Sequence, residues 1–288
     1  MTSMTSITDS TDLLDRAARD AATLRTLHRD GALVLPNAWD AMSAAIIEAR
    51  GARAIATTSG GVSWGLGAAD GEGLTRADAV SAADRIVRAV RVPVSFDIES
   101  GFGADPEGVA TTVRALVGVG VAGINLEDSW MPGRRLAPAG AQAERVAAAR
   151  AAGGDLVINA RTDVYLGRTE VGREDVDPVA EVIARAEAYA AAGADGLFVP
   201  GLIDLATIRA LADTVALPLN IMSGPGGPTV AELAAAGVRR ISVGTAIAQA
   251  AYAVADRAAA EVLGAGTYES LADALAYGDL NALAVPTP

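Results

Sequence analysis

Val92-Pro93-Val94-Ser95-Phe96-Asp97-Ile98-Glu99-Ser100-Gly101-Phe102-Gly103 passes from an apolar run into two carboxylates and then into glycines. A segment of helical period follows, Glu107 to Gly118. After it comes a second apolar run, Gly123-Ile124-Asn125-Leu126-Glu127-Asp128, which again ends in acid. Strand, loop, helix and strand make a βα unit, and the rest of the chain repeats it. Upstream lie Ala32-Leu33-Val34-Leu35-Pro36-Asn37 and Ala54-Ile55-Ala56-Thr57-Thr58-Ser59. Downstream lie Leu156-Val157-Ile158-Asn159-Ala160-Arg161, Gly196-Leu197-Phe198-Val199-Pro200, Leu217-Pro218-Leu219-Asn220-Ile221 and Arg240-Ile241-Ser242-Val243-Gly244. Ala-rich helical segments such as Ala77 to Val90, Ala143 to Ala152 and Pro178 to Ala192 separate them, several closing in Ala-Gly-Ala or Gly-Val. The strand starts fall roughly 20 to 40 residues apart, the spacing of a (β/α)8 barrel. An open doubly wound sheet usually carries a Gly-rich fingerprint after its first strand. Pro36-Asn37-Ala38-Trp39-Asp40 has no glycine there.

The expected fold class is therefore α/β, a (β/α)8 TIM-type barrel over residues 31–264. An N-terminal leader and helix (1–30) precede it, and a C-terminal helical extension (265–288) follows. Met1 to Asp12 is rich in Ser and Thr and has no basic start leading into an apolar stretch, so it reads as a frayed leader rather than a signal peptide. Two helical segments, Ala246 to Leu263 and Tyr268 to Leu283, follow the last strand where a barrel needs one. The surplus helix must pack on its own barrel or on a neighbour's.

Composition narrows the chemistry. The chain has 288 residues, 51% hydrophobic and 20% charged, a globular balance. It has no cysteine, and all 23 basic residues are arginine, since no lysine occurs. Disulfides, thiolate metal sites, Cys nucleophiles, Schiff bases and P-loop lysines are excluded together. A single histidine, His28, leaves no material for His-rich metal sites or a Ser-His-Asp triad. It sits in a polar helical stretch and reads as a surface residue. The formal charge of −12 argues against nucleic acid and anionic membranes, yet leaves a small anionic substrate open. No apolar run reaches the roughly 18 residues that span a bilayer. The expected compartment is the cytoplasm.

Barrel active sites form at the C-terminal ends of the strands, so the polar strand endings are the candidates. Asp97 and Glu99, two apart, would share one face of a strand, with Glu127 joining them from the next. Three carboxylates and water make a hard oxygen site suited to Mg2+. The alternative is a set of solvated loop acids or helix N-caps. Ser59-Gly60-Gly61 can offer backbone N–H groups to an anion or can form an ordinary turn. Arg161 can bind a carboxylate or pair with Glu127 or Asp163. Asp70, in a Gly-rich loop, is a mobile acid or base over the mouth or a turn cap. The loop Trp130 to Ala141 is a candidate lid or a plain surface loop. Ser223-Gly224-Pro225-Gly226-Gly227 reads as a turn at a place where barrels often bind phosphate. Trp39, Trp64 and Trp130 read as packing.

In order and spacing, Leu35-Pro36-Asn37-Ala38-Trp39-Asp40, Thr58-Ser59-Gly60-Gly61, Asp97 to Gly103, Asn125-Leu126-Glu127-Asp128-Ser129 and Asn159-Ala160-Arg161-Thr162-Asp163 resemble the isocitrate lyase/phosphoenolpyruvate mutase superfamily. The likeness extends from about Leu33 to Val243. It implies a Mg2+-dependent enzyme acting on a small 2-oxo acid or enol phosphate. Asp97 would be the direct metal ligand, with Glu99 and Glu127 holding metal-bound waters. Ser59, Gly60, Gly61, Asp97 and Arg161 would hold the substrate, Arg161 would also act in catalysis, and Asp70 would take part in catalysis or metal hydration. The resemblance also implies a homo-oligomer, a tetramer or dimer, whose last helices pack on or swap with a neighbour. The chain departs from the pattern at the lid. Where the lyase branch has Lys-x-Cys-Gly-His, it has Gly133-Arg134-Arg135-Leu136-Ala137, and the mutase lid lysine is also absent. The expected function is thus a lyase cleaving a C–C bond of a small 2-oxo or hydroxy acid, by retro-aldol/Claisen cleavage or decarboxylation, through an enolate. Asp70, Tyr165 or a lid arginine would serve as base for a longer acid. The alternatives are a C–P bond enzyme of the phosphoenolpyruvate mutase kind and a metabolite-binding barrel without turnover.

Overall fold

The computed structural model describes residues 4–130, 135–170 and 175–284. Its barrel strands are β1 (Leu33–Leu35 and Asn37–Ala38), β2 (Ile55–Thr57), β3 (Val94–Asp97), β4 (Gly123–Glu127), β5 (Val157–Arg161), β6 (Gly196–Phe198), β7 (Leu219–Met222) and β8 (Arg240–Ser242). Adjacent strands in sequence pair in parallel. β1 is split at Pro36, which has no N–H to give a ladder. Its first piece pairs with β8, Leu33 opposite Arg240. Its second piece pairs with β2, Asn37 opposite Ala56. The two pairings close the barrel.

The helices are α1 (Met4–Arg29), α2 (Ala41–Ala49), α3 (Ser59–Gly65), α4 (Arg76–Ala89), α5 (Pro106–Gly118), α6 (Ala139–Gly153), α7 (Pro178–Ala191), α8 (Leu205–Thr214), α9 (Val230–Ala235), α10 (Ala246–Gly264) and α11 (Tyr277–Ala284). Their starts are written locally. Asp105 and Asp177 each cap a helix whose first residue is proline, and Thr75 and Thr229 close capping boxes with Asp78 and Glu232. None of the helices among the described residues is long and apolar enough to cross a membrane.

The strands carry two kinds of residue in alternation. Val94, Phe96, Ile124, Leu126, Ile158 and Ala160 belong to the main apolar core. Ser95, Asp97, Asn125, Glu127, Asn159 and Arg161 turn the other way, into the barrel. There Asn159 donates to Asn125 at 2.9 Å and to Asn220 at 3.0 Å. A second apolar cluster fills the N-terminal end of the barrel, where Ala21, Leu24 and Leu27 of α1 meet Leu33, Leu35, Ala54, Ala56, Ala122 and Val157.

Three expectations change. The Ser/Thr-rich start, read as a frayed leader, is helical from Met4 onward; Ser and Thr lose only a few tenths of a kcal/mol per helical residue, roughly. The segment Tyr268 to Leu283 is two elements, a short turn at Glu269–Leu271 and α11. The Glu261 carboxylate, which accepts from Thr267, Glu269 N–H and Ser270 N–H, wraps the chain around the end of α10 there. His28 is buried, not a surface residue, because α1 lies against the barrel floor.

Candidate active site

The site begins where β3 runs out. Asp97 ends the strand with its N–H donating to Thr57 Oγ1 at 2.8 Å. Its Oδ1 accepts from Glu99 N–H at 3.0 Å, and its Oδ2 from Asn125 Nδ2 at 3.3 Å. The chain then leaves the extended conformation, with Glu99 at φ +51° and Phe102 at φ +52°. Strand alternation therefore does not place Glu99; a left-handed turn does. The Glu99 carboxylate accepts from the N–H of Glu72, itself at φ +58°. The Glu72 carboxylate accepts from Ser100 Oγ and Phe102 N–H. Left-handed residues other than glycine cost on the order of 1–3 kcal/mol and gather at functional sites. Here three sit in two loops that hold each other.

Glu127 ends β4 and its N–H donates to Glu99 C=O at 2.8 Å, which ties the two acids together. Arg161 ends β5 between two carboxylates, with Nη1 2.8 Å from Glu127 and Nε 2.6 Å from Asp163. The salt-bridge reading of Arg161 is thus realised with both candidate partners, while Arg161 also forms part of a cavity wall. Asp97, Glu99 and Glu127 are 7%, 2% and 6% exposed, and none caps a helix, so they are not solvated loop acids. Burial pushes all three carboxyls up, Glu99 to about 7 and Glu127 well above the usual range; Arg161 pulls Asp97 and Glu127 the other way. Burial works against charge on Arg161, but Glu127, Asp163 and Asp97 outweigh it and hold the guanidinium charged.

A cavity of ≈ 190 Å³ opens at these strand ends. Ser59, Asp70, Asp97, Asn125, Arg161 and Arg240 supply its polar wall, and Leu166, Phe198 and Pro200 much of its apolar wall. Ser59, Gly60 and Gly61 form the first turn of α3, where the sequence reads as a turn. Such amides have no carbonyl within the helix to serve, and the Thr58 side chain leaves them uncapped. The glycines are also required by packing. A Cβ at Gly60 would stand 2.9 Å from Thr245 Cγ2, and one at Gly61 2.8 Å from both Thr58 Cγ2 and Trp39 Cβ.

Other candidates fall outside this cavity. Tyr165 does not contribute to its wall. Ser223 to Gly227 is a self-bonded turn, Gly227 N–H to Gly224 C=O at 3.0 Å, beside a separate cavity of ≈ 370 Å³. The tryptophans pack: Trp64 meets Tyr252 edge-on, and Trp130 donates to Gln142 and lies under Arg145. Of the loop read as a lid, Ser129–Trp130 pairs antiparallel with Arg135–Leu136, while Gly133 and Arg134 lie outside the described residues. Sequence reasoning missed Arg240 and the interior asparagines. The available signal was a charge at the start of an apolar strand and an Asn recurring within four strand runs.

The donor set fits a hard divalent cation. It is all oxygen, it is buried, and its carboxylates outnumber the guanidinium that faces them. Among the described residues no three His, Cys, Asp or Glu side chains converge closely enough to form an all-protein cage. Such a cation would therefore keep several waters, as Mg2+ commonly does.

The family model described as phosphoenolpyruvate phosphomutase matches residues 24–263. The chain is 36% identical over 190 residues to the oxaloacetate decarboxylase of Ectopseudomonas mendocina, covering 63% of this chain and 62% of that one. It is 30% identical over 194 residues to the 2-methylisocitrate lyase of Bacillus subtilis, covering 65% of this chain and 61% of that one. Among solved structures, oxaloacetate acetylhydrolase in complex with its product oxalate superposes with a TM-score of 0.81 at 27% identity, over 92% of this chain and 93% of that one.

Proposed function

Because the chain belongs to the phosphoenolpyruvate phosphomutase family, we propose that it is a carbon–carbon lyase acting on a small 2-oxo or hydroxy acid. The bond breaks by decarboxylation or retro-aldol/Claisen cleavage and leaves an enolate. The observation that carries this reading is the cavity itself. Its ≈ 190 Å³ is below the ~300–1,000 Å³ of ordinary ligand pockets, and it gathers Ser59, Asp70, Asp97 and Arg161 at one barrel mouth. The names of the two lyase relatives, and the oxalate in the related solved structure, support the same substrate class.

Asp97 would hold Mg2+ directly, and Glu99 and Glu127 would hold its waters. When bound, the cation supplies a Lewis acid that draws negative charge from the oxygens of the acid. The chain's own groups do the rest. The first-turn amides at Ser59, Gly60 and Gly61 bind the substrate carboxylate. Arg161, braced by Glu127 and Asp163, presents a fixed guanidinium to the charge that develops on the enolate oxygen. Thr57 and Asn125 hold Asp97 in place. Asp70 takes the hydroxyl proton of a hydroxy acid, or passes a proton from water to the enolate carbon after CO2 leaves. Leu166, Phe198 and Pro200 exclude water from the enolate. A lid cysteine or lysine is not needed for decarboxylation.

The test is turnover of the purified protein with Mg2+ or with EDTA against oxaloacetate, 2-methylisocitrate and phosphonopyruvate, following CO2, pyruvate and phosphate. The expected result is EDTA-sensitive cleavage of a carboxylic acid, lowered about 100-fold or more in Asp97→Ala. Conversion of phosphonopyruvate alone would assign C–P chemistry instead. Tight oxalate binding with no turnover of any of the three would make this a metabolite-binding barrel.

A further inference from the structure

Among the described residues two arginines, Arg185 and Arg240, are less than 2% exposed, and they are built differently. Arg185 is 0% exposed and ion-pairs with Asp128, Glu170 and Glu181. Arg240 is 1% exposed, and none of the ion pairs among the described residues includes it. From the start of β8 its side chain crosses the barrel, and Nη2 donates to Ser95 Oγ at 3.1 Å and to Asn125 Oδ1 at 3.2 Å. Nε and Nη1 reach no acceptor among the described residues. Buried donors in folded proteins are almost always satisfied, and a buried cation without a counter-charge is the costliest exception. A molecule bound in the cavity would supply acceptors that the described residues do not.

Position says what that is. Arg240 forms part of the same cavity wall as Asp70, Asp97 and Arg161. The two aspartates repel an anion, and the charge of Arg161 is taken up by Glu127 and Asp163. Arg240 is the cavity cation without a direct ion pair among the described residues; the carboxylate that acts on it, Asp97, does so from a distance. We propose that Arg240 is a substrate-binding residue: from the barrel floor its Nε or Nη1 donates to an oxygen of the bound anionic acid. The inference rests on the small-acid reading above and extends it with a second recognition point, opposite the α3 amides.

The probe is oxalate with Mg2+, titrated calorimetrically into the full chain. Arg240→Gln is expected to weaken oxalate roughly 10- to 100-fold, the worth of a hydrogen bond to a charged group. Arg240→Lys should recover part of that. Affinity for Mn2+ alone, read by electron paramagnetic resonance, should change by no more than about twofold, since Asp97 keeps Thr57 and the Glu99 amide. Unaltered oxalate affinity in Arg240→Gln would overturn the proposal, as would parallel losses of oxalate and Mn2+, which would make Arg240 a support for Asp97. A crystal structure of the unaltered chain with Mg2+ and oxalate needs no variant to fold. An oxalate oxygen on Nε or Nη1 supports the assignment. Oxalate held at Ser59 and Arg161 with only water on Arg240 overturns the assignment and leaves the small-acid reading standing. Failure of the unaltered chain to bind oxalate at all overturns both.

Discussion

His28 shows how far one side chain's surroundings can depart from its place in the sequence. It ends α1 among polar neighbours, yet burial, helped by the nearby positive charge of Arg240, depresses its imidazolium to about 4. In the unfolded chain it titrates near 6.5. Between those values the unfolded state binds more protons. The stability from keeping His28 neutral is therefore complete above about pH 6.5 and is lost as the pH falls through about 4, an effect on the order of 3 kcal/mol. Urea unfolding at pH 4.5 and pH 7 is expected to show a smaller acid loss in His28→Gln than in the unaltered chain. Equal losses in the two proteins would refute this origin. The same contrast governs what was legible at this scale. Asp97, Glu99, Glu127 and Arg161 stand out because each charge interrupts or ends an apolar run. Arg240 and His28 look peripheral in one dimension, since only barrel closure brings residue 240 beside residues 95 and 125.

Among elements, α3 departs most from its reading. Two consecutive glycines at its start argue for a turn, because glycine costs about 1 kcal/mol relative to alanine in a helix. Tertiary packing overrides that preference, for Gly61 sits so close to Trp39, just after β1, and to Thr58 that a Cβ would stand 2.8 Å from each. Gly61→Ala should improve helix propensity and still destabilise the fold by about 1–3 kcal/mol, the usual penalty for overpacking. A higher denaturation midpoint for this variant would show that the contacts of Gly61 with Trp39 and Thr58 yield more easily than the structure implies. The strands were legible because apolar residues facing the helices recur with period two. The turn after Asp97 was not, since left-handed geometry at Glu99 and Phe102 is imposed by Glu72 from another loop.

For the molecule as a whole, the barrel could be read from eight repeated units, but the role of its last helices could not, because that depends on what they touch. In the single chain α10 buries only Ala248, and Leu263, Tyr268 and Tyr277 are 87%, 68% and 83% exposed. Apolar surface on this scale marks an association site. We propose a homotetramer or dimer that covers it. Light scattering should give a multiple of the 29.0 kDa chain mass, and Leu263→Glu with Tyr277→Glu should lower that multiple. A 29.0 kDa particle from the unaltered protein would refute the assembly. The opposite end of the barrel has its own consequence. With Ala21, Leu24 and Leu27 of α1 seated among Leu33, Leu35 and Val157, the scaffold is a cup and not a tube. Reactant and products must share one doorway, at the C-terminal ends of the strands.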